Sequence, residues 1–397
     1  MESMRKKLFG LAPNVFLLGL VSLFNDFSSE MIYSVMPAFF ITVLAAPPIA
    51  LGLIEGFADA LASILKISAG WFSDRIGRRK IVSVYGYTLS TATRFFLSFV
   101  NSFWQVFILR AIDRIGKGVR EAPRDALLTE SVEAHELGKS FGFHRAMDTV
   151  GGILGPLAAV IILPIILNDY RQLFLIAFFA GILSVATFIF VREKKTSKEI
   201  RDGHKIPLTF SLKAFGRPFK LFLLSIFIFG LGFMPIPLIL LKVQSVTLKI
   251  GAIPLMYLIY SIAYALFAIP FGKLSDRVGE KKVLALGFMT SIASYGVFAG
   301  FSSSLSVILG FVILGFYSAM TDGVGRAFTS KLVPQGELAT GQGFYQAAVG
   351  LSSLLAGLAG GFIWTYFGAE NAFLYGTIAM FVGFIVFVSL NGRTSKL

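Results

Sequence analysis

Long apolar runs, separated by short polar loops, recur along the chain from Leu8 to Leu390. A helix that crosses a bilayer needs about 20 apolar residues, and these runs predict twelve such helices. The first six are predicted at 12–43, 48–72, 81–101, 103–124, 137–167 and 171–192. The second six are predicted at 218–241, 250–273, 282–301, 304–327, 337–367 and 371–391. The pattern therefore predicts an all-α membrane protein, whose first run is a retained span because it is too long for a signal peptide.

Composition agrees with a protein that is embedded through most of its length. The 397 residues are 55% hydrophobic and 15% charged, whereas a soluble domain carries about 25% charged residues. The net charge of +14 would suggest nucleic acid in a soluble protein. Here we attribute it to basic loops that fix membrane orientation, and we expect no nucleic-acid partner. The chain has no cysteine, which excludes disulfides, thiolate metal sites and cysteine catalysis.

The loops also predict orientation and domain organisation. Basic residues are concentrated in alternate loops. The positive-inside rule therefore predicts that these loops and both termini lie in the cytoplasm. We expect the protein to be a multi-pass protein of the cytoplasmic membrane. The only long polar stretch is interpreted as a cytoplasmic linker. We therefore predict an N-terminal six-helix bundle at 1–192, a linker at 193–217 and a C-terminal six-helix bundle at 218–397.

The two predicted bundles share a repeated loop between their second and third helices. Residues 70–80 (GWFSDRIGRRK) recur at 272–282 (GKLSDRVGEKK), an offset of 272 − 70 = 202. Arg124 and Arg326 keep the same offset, since 326 − 124 = 202. Two halves of common ancestry are the simplest explanation of this repeat.

Both loops resemble the signature loop of the major facilitator superfamily, G-x-L-x-D-R-x-G-R-R/K. The second copy departs from the pattern at Glu280, where a base is usual. The resemblance implies a secondary transporter made of two pseudo-symmetric six-helix bundles, with no cofactor. It also implies a conformational latch on the cytoplasmic side, formed by Gly70, Asp74, Arg75, Gly77, Arg78, Asp276, Arg277 and Gly279.

The predicted fifth helix carries a helix-packing motif formed by Gly151, Gly155 and Pro156. It is similar to the antiporter signature of exporters in this superfamily, G-x-x-x-G-P. Separately, residues 113–125 and 28–33 resemble a bacterial and archaeal subgroup similar to the drug:proton antiporters. Small residues four apart, followed by proline, also occur wherever helices pack closely. The motif therefore favours export only slightly.

Charged residues at membrane depth are the strongest candidates for a substrate or proton site. Each costs roughly 2.5–3.5 kcal/mol at a helix centre, so such residues are functional candidates by default. The candidates are Asp26, Glu30, Tyr33, Asp59, Arg110, Asp113, Arg114, Lys117, His144 and Asp148. Proton coupling needs an acid whose proton affinity changes with conformation, and Asp26 or Glu30 beside the arginines of the fourth helix fits that need. Structural ion pairs are the alternative, which we favour for Glu55, Lys66, Arg94 and Arg145.

These observations predict a secondary active transporter that moves a small solute by alternating access, as a monomer and with protons as coupling ion. Export of amphipathic or drug-like compounds is slightly favoured. Import or export of a charged metabolite or metal chelate is the alternative, and a membrane sensor or enzyme on the same fold is a further one. An ATP-driven pump is excluded because no phosphate-binding G-x-x-x-x-G-K-[ST] occurs. Three histidines and no nucleophile motif argue against an enzyme, and we expect no metal site.

Overall fold

The computed structural model describes residues 11–76, 79–133, 136–193, 212, 215–246, 251–334 and 337–390. Regular structure in these residues is helical throughout. The first half contains α1 (Pro13–Thr42), α2 (Pro48–Ile76), α3 (Arg79–Leu97), α4 (Phe103–Glu130), α5 (Leu137–Ile165) and α6 (Tyr170–Ile189). The second half contains α7 (Arg217–Gly232), α8 (Ile236–Leu240), α9 (Lys242–Val246), α10 (Ala252–Val278), α11 (Glu280–Gly300), α12 (Ser304–Leu332), α13 (Leu338–Phe367) and α14 (Ala369–Val388).

The predicted seventh span is wrong as a single helix. It breaks after Gly232, because Phe233 has extended backbone angles and Pro235 caps a new helix, α8. Proline has no N–H to donate and disfavours helical geometry in the residue before it. The backbone N–H of Met234 lies at the break and donates to the hydroxyl of Tyr295 at 2.8 Å instead of to a helix carbonyl. The apolar run is thus continuous while the helix is not.

Four helices continue beyond their predicted ends. The excess runs from four residues in α2 (76 − 72) to six in α4 (130 − 124), with α10 and α12 between. In α2 and α10 the predicted span stops where charged residues begin, but charge ends the membrane-buried part of a helix without ending its hydrogen bonding. The polar ends of these helices therefore remain helical.

Ten helical segments among the described residues are long and apolar enough to cross a membrane. The predicted spans outside this set are α3 and α4, which have 19 and 28 residues. Length does not exclude them, since at about 1.5 Å per residue both approach or exceed 30 Å. Their charge lowers their hydropathy, and in α4 five charged residues fall between positions 110 and 120. The site described below is built on these charges.

The helices group into two compact units. The first unit comprises residues 1–35 and 65–207, and the second comprises 36–64 and 208–397. In the first unit α3 packs against α4 and α6, and in the second α11 packs against α12 and α14. These helices correspond to one another in the sequence repeat, so the repeat extends to packing within each unit. The predicted division of the chain at the linker stays a prediction, since most of 193–217 lies outside the described residues.

Candidate functional site

A buried chain of hydrogen bonds joins α1 to α3. Arg94 donates from Nη1 to Ser28 Oγ at 2.6 Å and from Nη2 to Asn25 Oδ1 at 2.8 Å. Asn25 donates in turn from Nδ2 to Asp26 Oδ1 at 2.9 Å. The guanidinium of Arg94 is 3% exposed, so its interaction with these neutral oxygens replaces the water it lost. Asp26 therefore stands at the end of a hydrogen-bonded chain that begins at a buried cation.

A second carboxylate, Asp113 of α4, lies between two arginines of its own helix. Arg110 Nη1 is 3.5 Å from Asp113 Oδ2, and Arg114 Nε is 3.9 Å from the same oxygen. The guanidinium carbon of Arg110 also lies 5.5 Å from the centre of the Tyr33 ring on α1, a cation–π distance. Arg110, Asp113 and Arg114 are thus held together by ion pairs within α4, and Arg110 faces α1.

A third carboxylate, Asp148 of α5, accepts a hydrogen bond from α1 and lies beside two bases of its own helix. Ser22 Oγ of α1 donates to Asp148 Oδ1. His144 Nδ1 lies 3.5 Å from Asp148 Oδ2 and Arg145 Nη1 lies 3.9 Å from it. His144 is buried, whereas the Arg145 side chain is 59% exposed. Asp148 thus links α5 to α1.

These groups form one network in the first unit. The charged groups that act on Asp26 are Asp148, Lys117 and Arg120, and Glu30 acts on Arg94. The structure therefore brings together nine of the ten predicted substrate or proton residues: Asp26, Glu30, Tyr33, Arg110, Asp113, Arg114, Lys117, His144 and Asp148. We call this set, with Asn25, Arg94 and Arg120, the charged network.

Asp59 does not join the charged network in the first unit. It belongs to the second unit, where Ser353 Oγ of α13 donates to Asp59 Oδ2 at 3.1 Å. The same stretch of α2 packs closely on α13, since a Cβ at Gly56 would lie 2.8 Å from Leu354 Cα. Its position favours a role in holding α2 against α13, and a role in the substrate or proton site stays a prediction.

The glycines of the predicted packing motif lie directly on α1. A Cβ added at Gly151 would lie 2.5 Å from the carbonyl oxygen of Leu23, and one at Gly155 would lie 2.6 Å from that of Phe27. Asp26 and Glu30 border the same two contacts. Pro156 follows within α5 and is buried. These glycines thus set the distance between α5 and the helix that carries the predicted coupling acids.

The latch residues of the second copy are partly explained by backbone geometry. Gly279 ends α10 and begins α11 with φ of 95°, a conformation that side-chain-bearing residues rarely adopt. Asp276 and Arg277 lie exposed in the last turn of α10. In the first copy Gly70, Asp74 and Arg75 lie in α2 with side chains outside the description, and Gly77 and Arg78 lie outside the described residues. The latch itself stays a prediction.

Glu280, the departure from the family pattern, has a charged partner. As the first residue of α11 it forms an ion pair at 2.5 Å with Lys331, near the end of α12. Arg79, the first residue of α3, pairs in the same way with Glu130 at the end of α4. The two pairs lie 201 residues apart, since 280 − 79 = 201 and 331 − 130 = 201, which is one less than the offset of the loop, where Glu280 aligns with Arg78. Each half therefore has an ion pair between the start of one helix and the end of the next, with the charges exchanged.

Sequence reasoning missed Asn25 and Arg120 and gave Arg94 a different role. Asn25 is uncharged and carries no motif, so only its hydrogen bond to Asp26 identifies it. Arg94 was interpreted as a structural ion pair, and the structure places it in the charged network. Arg120 was not chosen, although it lies three residues after Lys117 and therefore near the same helix face.

Metal ligation is not indicated in the part of the chain that the structure describes, where no group of three or more His, Asp or Glu side chains could hold a metal ion.

Comparisons with known proteins identify the family. Residues 18–253 and 221–396 match the Major Facilitator Superfamily. A major-facilitator-type transporter of Methanocaldococcus jannaschii is 36% identical over 375 residues, covering 93% of this chain and 92% of the relative. The chain belongs to the major facilitator superfamily. The predicted all-α membrane fold of this family is thereby confirmed, and the protein is a multi-pass transporter of a small molecule rather than an enzyme.

Two further matches extend across the superfamily. A protein of Cupriavidus pinatubonensis described as a probable 4-methylmuconolactone transporter is 25% identical, over 88% of this chain and 82% of its own. The crystal structure of a variant of the nucleoside transporter NupG matches with a TM-score of 0.82 at 16% identity, over 95% of this chain and all of that one. At this identity the likeness to NupG shows the major facilitator fold and not the cargo.

Proposed function

We propose that the protein is a proton-coupled secondary transporter that moves a charged small solute by alternating access. It acts as a monomer in the cytoplasmic membrane, with both termini in the cytoplasm as the basic loops predict. The observation that carries the proposal is the closeness of two carboxylates, Asp26 on α1 and Asp148 on α5. Asp148 accepts a hydrogen bond from Ser22, one turn before Asp26 on α1, and its charge acts on Asp26.

Neighbouring buried carboxylates can share a proton, since two negative charges close together resist simultaneous ionisation. The hydrogen bonds that Asp26 and Asp148 accept come from Asn25 and Ser22, which are neutral donors. Neutral donors remain in place when a carboxylate gains or loses a proton. The pair can therefore exchange protons without breaking an ion pair that holds helices together.

The location of the pair supports coupling to conformation. Asp26 and Asp148 lie on α1 and α5, two helices whose backbones touch at Gly151 and Gly155. A change in the distance between these helices changes the separation of the two carboxylates. Proton binding and helix movement thus depend on one another, as coupled transport requires.

Export of amphipathic compounds by antiport is the second candidate. It is supported by the antiporter-like Gly151–Pro156 segment, which packs on the part of α1 that carries Asp26. The charged network favours a charged cargo over an amphipathic one, because a neutral or apolar solute leaves its buried charges without new partners.

The test is proton movement driven by solute. The purified protein is reconstituted into liposomes that contain a pH-sensitive dye, and charged, neutral and amphipathic solutes are added outside in turn. We expect at least one charged solute to change the internal pH, and Asp148→Asn to abolish that change while retaining solute exchange. Glu370→Gln, an exposed acid on α14, is the matched control and should behave as wild type. Solute entry without any proton movement would contradict proton coupling.

A further inference from the structure

The charged network contains more bases than acids. Its described side chains include five bases, namely Arg94, Arg110, Arg114, Lys117 and Arg120, and four acids, namely Asp26, Glu30, Asp113 and Asp148. The difference is 5 − 4 = 1 positive charge with every acid ionised, and 5 − 3 = 2 while Asp26 and Asp148 share one proton as proposed above. Arg124, Arg145 and Asp125, which also act on Asp148, do not remove the excess.

The excess charge is buried. Arg94, Arg110 and Arg120 are 3%, 6% and 5% exposed. A buried excess of charge is destabilising unless it is balanced, so the network favours uptake of a negatively charged group. Water alone can hydrate a base but cannot cancel its charge.

Two of these bases also have a buried N–H group that donates no hydrogen bond to the described residues. Nη1 of Arg120 and Nε of Arg114 are buried and have no hydrogen-bond partner in the described structure. The guanidinium of Arg120 lies 4.5 Å from the centre of the Tyr87 ring, which fixes its plane. A buried, oriented guanidinium with an unused N–H group is suited to bind an anionic oxygen.

The bases converge on one face of α4. At about 100° per residue, positions 110, 114, 117 and 120 fall within an arc of roughly 120°. Lys117 and Arg120 both act on Asp26, and Arg120 also acts on Asp113. Arg110 lies beside Tyr33 of α1, whereas the guanidinium of Arg120 lies over Tyr87 of α3, so this row of positive charge borders both α1 and α3.

We infer that Arg114, Lys117 and Arg120 form a binding site for a small dianion, such as a dicarboxylate or a phosphate, and that this dianion is the cargo. Two negative charges neutralise the excess of two, and the spare N–H groups supply its hydrogen bonds. The inference rests on the proposed transport of a charged solute and assigns the sign and number of its charges.

Binding is tested with succinate and inorganic phosphate as separate probes. Thermal unfolding of the purified protein in detergent is followed as each anion replaces chloride at constant ionic strength. Butane-1,4-diol and butane-1,4-diamine serve as neutral and cationic controls of the same chain length as succinate. We expect at least one dianion to raise the melting temperature, with no rise for the diol or diamine. The dianion that acts also separates the carboxylate from the phosphate class.

Variants assign the effect to the site. Arg120→Gln should weaken the apparent affinity for the anion roughly tenfold or more, as loss of a charged hydrogen bond does. Lys282→Gln, which removes an equal but exposed charge in the second unit, should leave the shift unchanged and so corrects for general stabilisation by salts. If Arg120→Gln does not fold, the less buried Lys117→Gln gives the same comparison.

The outcomes separate this inference from the proposed function. The anion site would be overturned if no dianion raised the melting temperature of the wild type. It would also be overturned if the rise were equal in the wild type, in Lys282→Gln and in the site variant that folds, Arg120→Gln or Lys117→Gln. The measurement uses no membrane and no proton gradient. A retained, site-dependent shift together with solute flux that moves no protons would therefore contradict only proton coupling.

Discussion

Close packing of α5 on α1 gives a prediction whose size follows from the structure. In Gly155→Ala the new methyl carbon would lie 2.6 Å from the carbonyl oxygen of Phe27 and 2.8 Å from the amide nitrogen of Met31. Carbon and oxygen normally approach to about 3.3 Å. The Cβ of Glu30 would lie 3.0 Å away from the same methyl carbon. Since all three groups belong to backbone or to a fixed Cβ, the two helices must separate locally by about 0.7 Å.

The expected cost is that of overpacking a well-packed interface, about 1–3 kcal/mol. Replacing glycine in a helix with alanine also gains up to about 1 kcal/mol from backbone entropy. Gly152→Ala provides that gain alone, because nothing lies within 4 Å of a Cβ at Gly152, one turn earlier in the same helix. The difference between the two variants therefore isolates the packing term.

The assay is reversible unfolding in mixed micelles, titrated with a denaturing detergent. We expect the free energy of unfolding of Gly155→Ala to be about 1–3 kcal/mol below that of Gly152→Ala. Proton-driven transport should also fall more in Gly155→Ala, because the contact borders Glu30. Equal stability and equal transport in the two variants would refute the close approach of α1 and α5.

Three further predictions concern other parts of the chain. Glu130→Arg should destabilise the protein by up to about 1 kcal/mol, and the double variant Arg79→Glu/Glu130→Arg should recover most of that loss in a double-mutant cycle, because the second repeat carries the exchanged pair. Single cysteines at Lys139 and Asn168, at opposite ends of α5, should react with an impermeant maleimide from the cytoplasmic and outer side respectively; labelling of both from outside would contradict the orientation. Gly279→Ala should destabilise the α10–α11 turn by about 1 kcal/mol or more, as measured by unfolding, because alanine is strained at φ of 95°.

The positions of most helices could be predicted from the sequence because hydropathy in a membrane protein follows the thickness of the bilayer. The break at Phe233 could not, although Pro235 and Pro237 were visible. An apolar run indicates burial in lipid, but it does not show whether the backbone within it is helical. The charged end of α10, which includes Arg277, was left out of the predicted helix because charge marks the end of the bilayer and not the end of the helix.

The charged network was predictable in membership but not in pairing. Spacing shows which charged residues share a face with Asp26 on α1 or with Arg110 on α4. It does not show which other helix each face contacts, because that depends on how the helices pack. Asp59 is an example, because the sequence grouped it with the other charged residues of the spans while its carboxylate accepts a hydrogen bond from Ser353 of α13. The high cost of burying Arg94 is the same whether it binds cargo or stabilises α1, so the sequence alone could not assign its part in the network.

The central claim, that Asp26 and Asp148 together carry the coupled proton, is tested most directly by comparing two transport modes in Asp26→Asn. Once a cargo is known, pH-gradient-driven accumulation and counterflow exchange are measured in the same proteoliposomes, with the melting temperature as a check on folding and Glu370→Gln as the control. We expect Asp26→Asn to lose accumulation and keep counterflow, because exchange requires helix movement but no net proton transfer. Full accumulation in Asp26→Asn, or an equal fall in stability and both transport modes, would contradict the account.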